Sequence, residues 1–293
     1  VAIMMLDGEL VQEEEARISV LDHGLLYGVG AFETIRIYEG HPFLFQDHLI
    51  RLQQALQRMS IDLPYSDQEW LEQIQRVCEA NGWQNGSVRL TVTGGVEGLG
   101  LTARFYKRPT TMIFARLLPD DMSGFFQIGK HLQVVSVPRQ APGGVEQLKT
   151  NNYLNSVLAR QECTNFPGVE GLLLTPDGYL AEGIISNLFF VSKGRLYTPA
   201  LKLGILAGIT RQFVIELAQK LGYEVEEGCY TLEHLKHAEE IFTTSSIQEI
   251  IPVVTVDQQK QQNERKVTQH LYQTYQRFTK QLYSVRELRE KEL

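Results

Sequence analysis

Residues 87–93 read Ser-Val-Arg-Leu-Thr-Val-Thr and alternate without a break. Val88, Leu90 and Val92 fall on one side, Arg89, Thr91 and Thr93 on the other. Side chains along a strand alternate with a period of two, so this stretch commits the chain to a strand with one apolar and one polar face. The polar face either lines a pocket or meets water. Thr34, Arg36 and Tyr38 alternate with Ile35 and Ile37 in the same manner. Between these stretches the period changes. Over residues 46–60, Leu49, Leu52, Leu56 and Met59 recur at helical spacing, with Asp47 near the start. Ser66-Asp67-Gln68-Glu69 is a capping box opening a second helix. Its core face is Trp70, Leu71, Ile74, Val77 and Cys78, and Asn81-Gly82 ends it.

The remaining elements follow from similar signals. Residues 3–10 read as a hairpin turning at Asp7-Gly8. Residues 17–20 read as another short strand, and 110–118 as a longer one. Residues 118–124 have linker composition, which places a boundary between an N-terminal domain over 1–117 and a C-terminal domain over 125–293. In the second part, 171–175 is a buried strand, Pro176-Asp177-Gly178 a turn, and 188–191 a strong strand. Lys193-Gly194 turns the chain into a strand over 195–198. A helix opens near Gly208 and stops at Gly222. Strands follow near 239–242 and 249–253. A long polar-faced helix is expected from Glu264, fraying at its charged end.

Composition excludes several classes. With 293 residues and 43% hydrophobic content the chain can bury a substantial core. A net charge of −7 without a basic run argues against a nucleic-acid partner. Cys78, Cys163 and Cys229 show neither metal spacing nor a disulfide framework, which points to a reducing cytoplasm. The first residues lack a basic region followed by a long apolar core, so no secretory signal is expected. No apolar run approaches the ~20 residues of a membrane span, so no membrane association is expected either.

The chemistry-bearing residues are scattered singly. Lys149 stands where the irregular Ala141-Pro142-Gly143-Gly144 segment gives way to a helical pattern. Thr150 and Asn151 are plausible caps, and Leu154, Val157 and Leu158 make one apolar face. A lysine there is either solvated or held for chemistry. Gly24, Gly28 and Gly30 mark tight backbone or a close approach. That run matches neither a dinucleotide fingerprint nor a Walker loop. Gly208, Ile209 and Thr210 open a helix, where free N–H groups and the helix dipole suit a phosphate. Arg51 offers a forked cationic donor, and the Thr243-Thr244-Ser245-Ser246 run offers hydroxyls. Residues 94–100 are glycine-rich and read as a flexible loop over a site. Glu182, followed by glycine between strand-like runs, is either an exposed loop residue or the partner of a protonated ring nitrogen. A lysine amine, a carboxylate and a phosphate cradle together suit a phosphorylated pyridine aldehyde.

In combination and order, these motifs resemble the fold-type IV pyridoxal-phosphate enzymes. That family includes the branched-chain and D-amino-acid aminotransferases and the 4-amino-4-deoxychorismate lyases. The resemblance runs over residues 7–254. It rests on Asp22-His23-Gly24, Gly28-Val29-Gly30-Ala31-Phe32-Glu33-Thr34, Asp47-His48-Leu49-Ile50-Arg51-Leu52 and Leu148-Lys149-Thr150. It continues through Glu182-Gly183, Ser186-Asn187, Leu206-Ala207-Gly208-Ile209-Thr210-Arg211, and Glu240-Ile241-Phe242 to Pro252-Val253.

The resemblance implies two α/β domains with pyridoxal 5'-phosphate in the cleft between them, and a homodimer. It implies that Lys149 is the Schiff-base lysine, that Glu182 faces the pyridine nitrogen and that Leu206 packs on the cofactor ring. Arg51, Ile209, Thr210 and Ser246 match the phosphate contacts. Thr34 stands where branched-chain aminotransferases carry glycine and the lyases carry a catalytic threonine, and the Gly94–Gly100 loop also resembles the lyase group. Arg89 and Tyr27 are candidate contacts for an anionic small-molecule substrate. The D-amino-acid enzymes carry a histidine anchor near 89–101, where this chain has none. Ile184 and Ile185 depart from the small or hydroxylated residues common after Glu-Gly. The implied activity is conversion of 4-amino-4-deoxychorismate into 4-aminobenzoate and pyruvate, a step towards folate; the alternative is an amino-acid aminotransferase.

Overall fold

The computed structural model describes residues 2–101, 104–119, 123–139, 147–163, 168–261 and 265–292. The Pro/Gly segment ahead of Lys149 and the expected helix start at Glu264 lie outside them. The chain divides into two compact units. The first comprises residues 1–120, 148–152 and 280–284; the second comprises 121–147, 153–279 and 285–293.

In the first unit the hairpin forms as the Asp7-Gly8 turn predicts, with β1 (Ile3–Leu6) against β2 (Glu9–Gln12). The strand expected at 17–20 does not form, because the hairpin's second strand is the segment directly after the turn. Ile18 and Val20 are exposed. Then come α1 (His23–Tyr27), β3 (Gly30–Tyr38), the two-residue β4 (His41–Pro42), α2 (Phe45–Arg58), α3 (Asp67–Ala80), β5 (Gly86–Thr93) and β6 (Thr110–Leu117). Six strands make one antiparallel sheet in the order β2-β1-β6-β5-β3-β4. The alternation read at 87–93 decides its faces. Val88, Leu90 and Val92 join Ile35, Ile37 and Ile113 in a core with Leu49, Leu52 and Leu56 of α2 and Trp70, Ile74 and Val77 of α3. Ser66 caps α3 through the reciprocal bond with Glu69.

The second unit holds α4 (Ser123–Ile128), β7 (Lys130–Val134), α5 (Leu154–Glu162), β8 (Val169–Leu174), β9 (Leu180–Gly183), β10 (Asn187–Ser192) and β11 (Arg195–Pro199). It continues with α6 (Ile209–Lys220), β12 (Val225–Gly228), α7 (Leu232–Lys236), β13 (Glu240–Ser245), β14 (Glu249–Val256), β15 (Gln259–Lys260) and α8 (Lys266–Gln276). Its mixed sheet runs β12-β11-β10-β13-β14-β7-β8-β9, with β15 on β14. The last strand, β9, comes back against β10 and β11, so the sheet curls on itself. Leu132, Leu172, Leu180, Leu188, Phe190, Ile241 and Val253 fill its core.

Three expectations change here. The apolar stripe of α5 is not its core face: Leu154, Val157 and Leu158 are 68%, 50% and 42% exposed. The helix packs instead through the small Ala159, beside Cys163, against Val135, Leu173 and Ala181. The C-terminal segment does not run as one fraying helix. It turns after α8, and Phe278, Leu282, Val285 and Leu288 are buried. Leu282 and Tyr283 carbonyls accept from the amides of Leu44 and Gln46 at the start of α2, which groups 280–284 with the first unit. Finally, Lys149, expected in a C-terminal domain and at a helix mouth, lies in Leu148–Asn152 of the first unit. Helix α5 begins only at Leu154. Among the described residues no helix is long and apolar enough to cross a membrane.

Candidate active site

Strand β3 pairs with β5 along its whole length but meets β4 only at its far end. The open edge of its first half is taken by the lysine segment. The Phe32 amide donates to the Lys149 carbonyl at 2.9 Å, the Asn151 amide donates to the Gly30 carbonyl at 2.9 Å, and Ala31 bridges Thr150. Gly30 permits this approach: a Cβ there would stand 2.5 Å from Asn151 Nδ2 and 2.6 Å from the Val92 carbonyl. The close approach read from the glycines is therefore the seat of the lysine.

The side chains on the polar face of β3 then fall together. Lys149 Nζ stands 4.6 Å from the centre of the Phe32 ring, and Arg89 Cζ lies 3.7 Å from it. Thr34 is the next side chain on that face and sits opposite Arg89 in the strand register. It is half-buried, and Arg89 is exposed. A cation over a ring face is attracted by the ring's quadrupole, so Phe32 serves both cations as a platform.

Arg51 lies on the other side of the strand. Glu33 has the opposite parity to Phe32 and Thr34, and it receives Arg51 Nε and Nη2, each at 2.7 Å, and His48 Nδ1 at 2.6 Å. Burial alone would raise the Glu33 pKa, but the charges and hydrogen bonds of Arg51 and His48 bring it down to about 2. The helix-flank arginine expected from the sequence is in fact buried.

Tyr27 is partly exposed on α1, and its hydroxyl accepts from the Gly100 amide at 2.8 Å. His23 Nε2 lies 3.0 Å from the Gly98 carbonyl. A carbonyl only accepts, so Nε2 carries the hydrogen, and in the neutral ring Nδ1 accepts from the Tyr106 hydroxyl at 3.0 Å. The glycine-rich loop is thus tied down at two points by α1.

In the second unit Glu182, one residue before the end of β9, is 6% exposed, not a solvated loop residue. Arg139 Nε donates to its Oε1 at 2.6 Å, Asn187 Nδ2 to its Oε2 at 3.0 Å, and the Leu206 amide to both oxygens at 3.2 and 3.1 Å. Asn187 also donates to the Leu206 carbonyl at 3.1 Å, so one amide orients both residues. Three residues on, α6 starts at Ile209 with Gly208 as N-cap and no side-chain cap bond among the described residues. Thr210 is buried in its first turn. First-turn amides lacking a cap, with the dipole behind them, favour an anion. Ser246 follows β13 in a turn before β14, half-buried.

The structure thus brings Lys149, Thr34 and Arg89 together around Phe32, and Glu182 together with Leu206. Phe32, Glu33 and Asn187 stand in the quoted motifs, but their roles escape a reading of spacing alone. Arg139 had no signal; it follows β7 at the edge of an irregular segment.

Known proteins resemble the chain over most of its length. The amino-transferase class IV family profile matches residues 30–256. An aminodeoxychorismate lyase of Bacillus subtilis is 41% identical over 259 residues, covering 87% of each chain. A putative branched-chain-amino-acid aminotransferase of Methanocaldococcus jannaschii is 40% identical over 255 residues, 86% of this chain and 87% of that one. Among solved structures, 4-amino-4-deoxychorismate lyase from Pseudomonas aeruginosa superposes with a TM-score of 0.83 at 28% identity, covering 94% of this chain and 98% of that one. The mixed α/β fold and these likenesses make the chain a fold-type IV enzyme. The chain belongs to the class IV aminotransferase family.

Proposed function

We propose that this protein is a pyridoxal-phosphate-dependent lyase converting 4-amino-4-deoxychorismate into 4-aminobenzoate and pyruvate, a step towards folate. The observation that carries the reading is the polar face of β3, where the Lys149 amine stands over Phe32 and Thr34 supplies the adjacent hydroxyl-bearing side chain. The 41% identical relative with that activity supports it.

The residues present suit the cofactor. Lys149 would bind its aldehyde, and Glu182 its pyridine nitrogen. Leu206 would pack on its ring. The amides of Ile209 and Thr210 and the Ser246 hydroxyl would hold its phosphate; Arg51, bonded to Glu33 on the other face of β3, would add its positive charge to that site. When bound, the cofactor supplies an electron sink for the carbon bearing the substrate amine. Lys149 takes the proton from that ring carbon. The bond between the ring and the enol-ether oxygen breaks, and Lys149 returns a proton to the methylene carbon of the departing group, which leaves as pyruvate. The Thr34 hydroxyl orients this transfer. Arg89 and Tyr27 contact the anionic substrate. No atom is left over and no second substrate is needed, because the ring becomes aromatic.

The second reading, an amino-acid aminotransferase, is favoured by the 40% identical archaeal relative. Purified protein incubated with 4-amino-4-deoxychorismate separates the two. Equal release of 4-aminobenzoate and pyruvate without 2-oxoglutarate supports the lyase; amino transfer to 2-oxoglutarate without aminobenzoate supports the alternative. The same reading carries a homodimer, supported by the exposed Leu154, Val157 and Leu158, and a cytoplasmic location, supported by three free cysteines. Light scattering showing a stable, active monomer would refute the dimer.

A further inference from the structure

Strand β7 lies between β14 and β8 in the curled sheet, and Lys130 is its first residue. Lys130 is 4% exposed and Glu170, on β8, 1%. Lys130 Nζ donates to Glu170 Oε2 at 2.5 Å and to Gln248 Oε1 at 2.6 Å. The other oxygen of Glu170 accepts the Ile185 amide at 3.0 Å and the Ser186 hydroxyl at 2.7 Å. Ser186 closes the turn that follows Glu182, its carbonyl accepting from the Gly183 amide at 2.8 Å. Gly183 leaves room for this arrangement: a Cβ there would stand 2.2 Å from Glu170 Oε1. Gln248 closes the other turn, its amide donating to Ser245 Oγ at 3.1 Å, with Ser246 between them.

We infer that the buried Lys130–Glu170 ion pair is a positioning device that sets two turns at once, residues 183–186 beside Glu182 and residues 245–248 around Ser246. This rests on the cofactor roles proposed for Glu182 and Ser246. The β10–β13 ladder ends at Asn187 opposite Thr244, so residues 183–186 and 245–248 lie beyond its last pair and need a further link. One ammonium with two short bonds, and one carboxylate with three donors, supply that link. Stability alone does not explain the pair. Removing two charges from water offsets their attraction, and replacing both members of a buried pair by apolar residues is often neutral or stabilising. What an apolar pair would lack is direction. It gives the Ile185 amide and the Ser186 hydroxyl no acceptor, and Gln248 no donor.

The test is titration of the apoprotein with pyridoxal phosphate, followed by the visible absorption of the bound cofactor, with thermal melting of the same apoprotein alongside. Lys130→Met should raise the Kd for pyridoxal phosphate by roughly tenfold or more. The double variant Lys130→Met/Glu170→Met should regain most of the lost melting temperature while its affinity stays weak. Recovery of both quantities would make the pair a folding element only and overturn the inference. Should Lys130→Met not fold, Gln248→Ala decides, because it leaves the ion pair intact and removes only the link to the 245–248 turn. Binding several-fold weaker than wild type upholds the inference; unchanged affinity overturns it. Wild-type protein that binds no pyridoxal phosphate would instead overturn the proposed function, and this inference with it.

Discussion

The two units hold their chemistry by different means. In the first, Lys149, Phe32, Thr34 and Arg89 converge on one face of a strand, and Glu33 and Arg51 meet on the other. The period-two backbone does the placing. In the second, Glu182, Leu206 and Ser246 stand at strand ends and in turns, where no such period operates. Buried carboxylates crowded with donors do the placing there: Glu182 takes Arg139, Asn187 and the Leu206 amide, and Glu170 takes Lys130, Ser186 and the Ile185 amide. A strand face therefore tolerates a lost side chain better than a turn tolerates a lost carboxylate. Functional groups borne on the face should be removable at little cost to folding, and charges buried beneath it should not.

The largest expected effect tests the first half of that statement. Lys149→Ala removes a half-buried side chain whose main chain is already tied to β3. Turnover should fall on the order of 10⁴-fold, with the visible absorption band lost and the melting curve of the apoprotein nearly unchanged. Borohydride treatment of wild-type holoprotein should attach the cofactor to the peptide containing Lys149; attachment elsewhere removes the lysine from its role.

Arg51→Ala tests the second half. The sequence reading values Arg51 as a phosphate donor alone, so that its loss should weaken cofactor binding more than folding. Its bidentate bond to fully buried Glu33 gives it a second duty. Stranding a buried carboxylate typically costs about 3–5 kcal/mol. Denaturant titration of the apoprotein should show a loss of that order, in addition to weaker binding of pyridoxal phosphate. A variant that keeps its stability would show that His48 alone satisfies Glu33.

Glu33 also predicts a pH dependence. Its pKa is lowered from an ordinary 4.5 to about 2 in the folded protein. A depressed carboxylate contributes stability above its unfolded pKa and loses it as pH falls through the folded one. The contribution, roughly 3 kcal/mol, should be intact at neutral pH and disappear between about 4.5 and about 2. The stability difference between wild type and Glu33→Gln should therefore shrink across that window. A difference independent of pH would mean that Glu33 does not titrate there.

The same contrast explains what could be read from the residues in advance. Strand alternation and caps are local rules, so the faces of β3 and β5, the Asp7-Gly8 turn, the capping box of α3 and the stop at Gly222 were legible. Partner choice is not local. Nothing near Arg51 in the sequence points to Glu33, and nothing near Glu182 points to Arg139. The apolar stripe of α5 obeyed the helical period yet faces outward, because Ala159 permits closer packing than leucine would. The C-terminal tail looked polar and loose, but its sparse Phe278, Leu282, Val285 and Leu288 are the residues that bury it.

The smallest effect is the most discriminating. Thr34→Val is nearly isosteric and keeps the β-branched shape a strand prefers, so the register of β3 with β5 and the seat of Lys149 should be undisturbed. Only the hydroxyl is lost, from a half-buried position on the face that carries Lys149 and Arg89. If the hydroxyl merely suits a strand, melting temperature, cofactor affinity and turnover will all match wild type. If it orients proton transfer by Lys149, cofactor affinity and melting stay constant while kcat falls by roughly tenfold to a hundredfold, as for the loss of one hydrogen bond to a charged group. Thr34→Ser gives the internal control, since it restores the hydroxyl while giving up the methyl group. Its rate should return most of the way to wild type. A serine variant as slow as the valine variant would assign the effect to packing against Phe32, and the catalytic role of Thr34 would fall while the lyase assignment stood.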